Sequence, residues 1–103
     1  MLYVITRRDR PGMAAKRARL QPAHAEYQRA FLPLIVYGGG MVGDDVDTSG
    51  EVDIRDVIGN VLVMDVPDRA MAEAFHRDDP YTKAGLFGTV VIERLWQRVP
   101  PPA

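Results

Sequence analysis

Two histidines and no cysteine make up the classical nucleophile, base and soft-metal inventory of this chain. His24 is the more interesting. It falls in a row, Leu20, His24, Tyr27 and Phe31, whose spacings of four, three and four put all four residues on one face of a helix. An imidazole on that face is either a core histidine satisfied by a neighbouring polar group or a general base or acid. The second role wants a carboxylate to orient one ring nitrogen and stabilise the protonated ring. The stretch Asp78-Asp79-Pro80-Tyr81 offers two candidates. Asp before Pro is also a common turn and helix stop, so residue type alone does not choose between the roles. Tyr81 either packs in the core or lines a pocket beside them.

A second pattern lies in the acidic middle of the chain. From Asp45 to Asp56, oxygen-bearing side chains at Asp45, Asp47, Ser49, Asp53 and Asp56, with Gly50 at the turn position, reproduce the ligand spacing of a calcium-binding EF-hand loop. Two features oppose that reading. The last ligand is Asp rather than the longer bidentate Glu, and the preceding segment is glycine-rich and strand-like rather than helical. A plain acidic loop is the expectation, with no metal and no cofactor. The absence of cysteine removes disulfides, thiolate nucleophiles and iron–sulfur sites. No phosphate-binding loop, dinucleotide fingerprint, HExxH or Gly-x-Ser-x-Gly occurs.

Charge narrows the partners. The 13 basic and 14 acidic residues leave a net charge of −1, against a dedicated nucleic-acid binder. Basic residues gather early (Arg7, Arg8, Arg10, Lys16, Arg17, Arg19) and acidic ones in the middle, which reads as two solvated loops. The alternative is subunit pairing, or an entrance that attracts an anionic substrate. The start is not a signal peptide and no apolar run approaches a membrane span, so a cytoplasmic protein without membrane contact is expected.

The elements that must position these residues follow from periodicity. Leu2 to Arg8 alternates as a strand, with Tyr3, Ile5 and Arg7 on one face and Leu2, Val4 and Thr6 on the other. Asp9-Arg10-Pro11-Gly12 turns the chain. Met13 to Leu32 is helical, and Pro22 predicts a break, with a short helix over 13–19 and a second one starting at Pro22 and ending before Pro33. Leu34 to Tyr37 is a second strand, extended by Met41 to Gly43. Gly38-Gly39-Gly40 between them predicts a bulge or a close backbone approach. Ile58 to Val66 is a third strand whose continuous apolar run predicts cover on both faces. Asp68 caps a helix with Met71, Ala74 and Phe75 as its apolar stripe and His76 facing solvent. One further turn ends at Gly85. Thr89 to Val99 is the last strand, and the prolines at 100–102 make a tail.

The order β-α-β-β-α-β predicts an α+β, ferredoxin-like domain over residues 1–99. It is a four-stranded antiparallel sheet with both helices on one face. The bare face then wants a second copy, in the manner of a dimeric α+β barrel.

The opening Met-Leu-Tyr-Val-Ile with Asp9-Arg10-Pro11-Gly12, the Pro22-Ala23-His24 of the helix and Asp79-Pro80-Tyr81 resemble, in order and spacing, the YCII-related proteins over residues 1–99. The resemblance implies a ferredoxin-like homodimer with His24 and Asp79 paired in a cleft as the active site. It also implies general acid/base chemistry on a small organic substrate, lyase-like by analogy with a dehydrochlorinase branch. Tyr81, Tyr3 and Arg19 are the expected substrate contacts. Arg19 enters because family members commonly carry an Arg where this chain has Gln21. The Gly38–Gly40 run replaces the usual Gly-Pro and reshapes the pocket wall. The alternative is a non-catalytic dimeric module that binds a small ligand or a protein.

Overall fold

The computed structural model describes residues 1–103. Four strands, β1 (Leu2–Asp9), β2 (Ile35–Val42), β3 (Val57–Asp65) and β4 (Phe87–Leu95), form one sheet in the order β2-β3-β1-β4. Every neighbouring pair is antiparallel. Helices α1 (Ala14–Arg29), α2 (Arg69–Asp78) and the single turn α3 (Pro80–Lys83) complete the ferredoxin-like α+β arrangement.

The two faces of the sheet separate as the alternation predicts. On β1, Tyr3, Ile5 and Arg7 are buried, whereas Leu2, Val4 and Thr6 are only half-buried. Cross-strand partners share a face, so Ile5 aligns with Leu62, and Arg7 with Asn60. Tyr3, Ile5, Leu62, Met64 and Val66 pack against Ala72 and Phe75 of α2 to make the main core. The stripe of α2 therefore runs through Ala72 rather than Met71, which is 38% exposed. Asp68 caps this helix as expected, accepting from the Met71 amide at 3.0 Å. On the other face, Tyr37, Val91 and Leu95 stay exposed, and no second sheet covers β3.

Three expectations about elements fail, one of them only in part. First, α1 runs unbroken through Pro22. A proline costs a helix one hydrogen bond and crowds the preceding turn. Here Pro22 is exposed, so the carbonyl it leaves unpaired can be hydrated. The helix then ends at Arg29, and Pro33 sits inside a separate 3-10 turn, Leu32–Leu34. Second, of the bulge or close approach expected at the three glycines, the bulge is absent: β2 continues straight through them, and its register shifts fall at Ile35/Tyr37 and Met41/Val42 instead. Third, β4 starts and stops earlier than predicted, ending at Leu95, so residues 96–103 add nothing to the sheet.

The glycine run does bring close backbone approach. A β-carbon on Gly38 would lie 2.5 Å from Leu62 Cδ2 and 2.8 Å from the Val61 carbonyl oxygen, whereas one on Gly39 would meet nothing. Gly38→Ala is accordingly expected to cost about 1–3 kcal/mol by overpacking, and Gly39→Ala within about 0.5 kcal/mol of nothing. Urea unfolding of the two variants checks the contrast. Equal midpoints would show that β2 does not hold this register.

Candidate active site

Asp79 occupies the joint between α2 and α3. Its backbone leaves helical geometry (φ −63°, ψ 131°), and its Oδ1 accepts from the Tyr81 amide at 2.9 Å, capping α3 with Pro80 in the first turn. The helix stop read from Asp-Pro is thus real, and it fixes the carboxylate. The same carboxylate, fully buried, lies 2.9 Å from His24 Nδ1 through either oxygen. Asp78, its competitor, points outward and pairs with Arg77 at 3.1 Å. The topology thus brings together two groups 55 positions apart.

A third partner was not foreseen. Arg7, also fully buried, places Nη1 3.0 Å from Asp79 Oδ2. Its Nε donates to Asn60 Oδ1 at 2.9 Å, and its Cζ lies 4.5 Å from the centre of the Phe87 ring. Arg7 Nη2 is buried without a hydrogen-bond partner. Far from belonging to a solvated basic cluster, Arg7 is the counter-charge at the base of the site. Desolvation by burial pushes Asp79 towards the neutral acid. The His24 hydrogen bond, the Arg7 charge and the Tyr81 amide outweigh it and hold the carboxyl below its ordinary range. Asp79 is therefore an anion, and only an Nδ1–H can donate to it, so the proton of a neutral His24 belongs on Nδ1. Nε2 then carries the lone pair. It has no hydrogen-bond partner in the protein and is not buried.

His76 is not a solvent-facing residue. It is half-buried, with Nδ1 3.3 Å from both Arg7 Nη1 and Thr82 Oγ1. Arginine can only donate, so this nitrogen accepts. Burial and the Arg7 charge hold the His76 pKa down, keeping it neutral.

The His24 ring stacks on Tyr81 at 4.2 Å between centroids, 14° from parallel. On the same helix, Arg17 lies seven residues before His24 and shares its face. Arg17 is 2% exposed, locked to Asp9 by two bonds of 2.7 Å from Nε and Nη2. Its Cζ sits 4.7 Å from the Tyr81 ring centre. Burial pushes the Tyr81 phenol up against the pull of Arg17, so the hydroxyl keeps its proton.

These groups open on a cavity of about 420 Å³ between α1 and the edge of the sheet, lined among others by Arg17, Gln21, His24, Gly38, Gly40 and Tyr81. That is the size of a small-molecule site. The glycine run makes the room, because Gly38 and Gly40 present no side chain to α1. Two expected contacts are absent. Tyr3 belongs to the core beneath α2, with its hydroxyl 3.8 Å from Met1 Sδ, and Arg19 is exposed; neither lines the cavity. The seven-residue spacing from Arg17 to His24 was the signal that would have found the arginine that does line the cavity. The Asp45–Asp56 loop shows no convergence of ligands. Asp47 accepts from Ser49, Asp53 caps the 3-10 turn at Ile54–Asp56, and no cluster of three acidic or histidine groups forms.

A sequence profile of the YCII-related domain matches residues 1–96. Among solved structures, 5-chloro-2-hydroxyhydroquinone dehydrochlorinase from Burkholderia phenoliruptrix, in complex with 2,5-dihydroxybenzoquinone, is similar at 34% identity. The match covers 94% of each chain with a TM-score of 0.82. An antibiotic biosynthesis monooxygenase is similar at 20% identity, with 97% and 100% coverage and a TM-score of 0.53. A protein from Agrobacterium tumefaciens is similar at 18%, with 99% and 98% coverage and a TM-score of 0.54. The last two share the fold only. No functionally curated protein matches the chain.

Proposed function

Because the chain belongs to the YCII-related domain family, we propose that its cleft is the active site of a small lyase acting on a hydroxylated ring that carries a leaving group. His24 is the base, Asp79 orients it, and Arg7 keeps Asp79 ionised. The observation that carries this reading is the bare Nε2 of His24 in a cavity of substrate size, with Nδ1 tied to a buried carboxylate. Similarity to a dehydrochlorinase along 94% of the chain supports the choice of reaction.

In that chemistry His24 takes a proton from a ring hydroxyl and returns it to the ring carbon bearing the halogen. The halide then departs with its bonding electrons as a second hydroxyl loses its proton. The ring is left as a quinone, HCl is lost overall, and no oxidant is required. Tyr81 forms the wall on which the imidazole stacks.

The exposed sheet face, with Tyr37, Val91 and Leu95, fits a second copy of the chain, which would complete a homodimer. Incubation with 5-chloro-2-hydroxyhydroquinone and measurement of released chloride tests the reading. Release well above the uncatalysed rate supports it. If the quinone product binds in the cleft but no chloride is released, the domain is a ligand-binding module instead.

A further inference from the structure

We propose that Arg17 is the anion-binding group of the cleft, so that the preferred ligand is a planar ring ionised at an oxygen, a phenolate or hydroxyquinone anion, rather than its neutral form. The inference rests on the proposed function only for the identity of the cleft. It rests on different atoms.

Arg17 is an unusual residue to find lining a cavity. It is 2% exposed, so its position is set by the fold and not by solvent. Asp9, at the end of β1, takes the Nε and Nη2 edge of the guanidinium through two bonds of 2.7 Å. A bidentate carboxylate grip fixes the plane of the guanidinium and uses one edge of its fork. Nη1 is left outside that grip. Beyond Asp9, the Tyr81 hydroxyl lies within reach of the guanidinium, and Nη1 is not among the buried, unpartnered atoms, so this edge stays accessible on the side of Tyr81, a residue that lines the cavity with Arg17. A strut between α1 and β1 would need only the Asp9 edge. The placement of the other edge at the wall of the cleft is what points to a ligand.

The spacing gives this group a task distinct from that of His24. Both lie against Tyr81, the imidazole stacked on its ring and the guanidinium over it. They stand two helical turns apart on α1, with Gln21 between them. A ring that meets the lone pair of His24 at one substituent can therefore present a second substituent to Arg17. A fixed donor bearing charge in a sheltered cavity selects an oxygen anion there. It also lowers the cost of the charge that builds on that oxygen once a hydroxyl proton leaves.

The test compares two probes by calorimetry: 2,5-dihydroxybenzoquinone, a vinylogous acid ionised at neutral pH, and uncharged hydroquinone. The wild-type protein is expected to bind the anionic probe the more tightly. Arg17→Gln should weaken it about ten- to a hundredfold, the loss of a charged hydrogen bond, and leave hydroquinone within about twofold. Arg17→Lys, which keeps the charge but not the fork, should fall between, and it serves if Arg17→Gln does not fold. Equal weakening of both probes, or no preference in the wild type, overturns the proposal. A protein that shows this selectivity but releases no chloride would sink the lyase reading alone. Chloride release without the selectivity would sink this one alone.

Discussion

His24→Asn is expected to remove chloride release almost entirely while leaving a folded protein. General acid–base catalysis contributes about a hundred- to ten-thousandfold, so kcat/KM should fall by that range. The substitution keeps a polar side chain of similar girth at a site that is 8% exposed. The buried Arg7–Asp79 pair at 3.0 Å remains, so no charge is orphaned and the melting temperature should move little. Chloride release and thermal unfolding, measured on the same preparation, separate the two effects. If activity survives, proton transfer lies elsewhere. If the protein unfolds, His24 is the core histidine that its apolar neighbours on the helix face suggested.

Asp79→Ala is expected to cost stability as well, the largest loss of any single change at the site. Three groups converge on this carboxylate: His24 Nδ1, Arg7 Nη1 and the Tyr81 amide. Its removal uncaps α3 and strands a fully buried guanidinium, which costs about 3–5 kcal/mol. Replacing both members of the pair, with Arg7→Met and Asp79→Leu together, should cost less than Asp79→Ala alone, because no charge is left without a partner. Urea unfolding of the three proteins measures this directly. A double variant less stable than the single one would contradict the ion pair.

The same contacts set an acid limb. The folded-state pKa of Asp79 lies below its unfolded value, so the unfolded chain binds the proton first as the pH falls. The stabilisation is whole above the ordinary carboxylate range and disappears as the pH drops through the depressed folded-state value. Wild-type stability should decline through that window, and Asp79→Ala should decline less. An identical slope in both would mean that Asp79 is not the group responsible.

The fold was legible because it depends on local rules. Strict alternation in β1, the Asp68 cap, Asp-Pro at the joint and glycine at residue 85 each dictate a backbone shape that the tertiary structure keeps. Half of the site was legible for the same reason. His24 sits on a helix face, and Asp79 sits at a helix stop. What escaped was burial of charge. Alternation put Arg7 on the face of Tyr3 and Ile5, yet three arginines within four residues favoured a solvated cluster. Only a partner 72 positions away makes burial of this one tolerable. Arg17 escaped likewise, since Asp9 looked like turn chemistry and not a grip on α1. Pro22 misled in the other direction: its penalty is real, but at an exposed position on α1 it is small enough for packing to override.

The proposed chemistry depends most on which nitrogen of His24 carries the proton. Long-range nitrogen–proton NMR on protein labelled at histidine reads it directly. The neutral ring should be protonated at Nδ1, with a bare Nε2 whose resonance shifts when 2,5-dihydroxybenzoquinone is added. A proton on Nε2, or an Nε2 resonance indifferent to the ligand, would contradict a base held by Asp79 and aimed at the cavity.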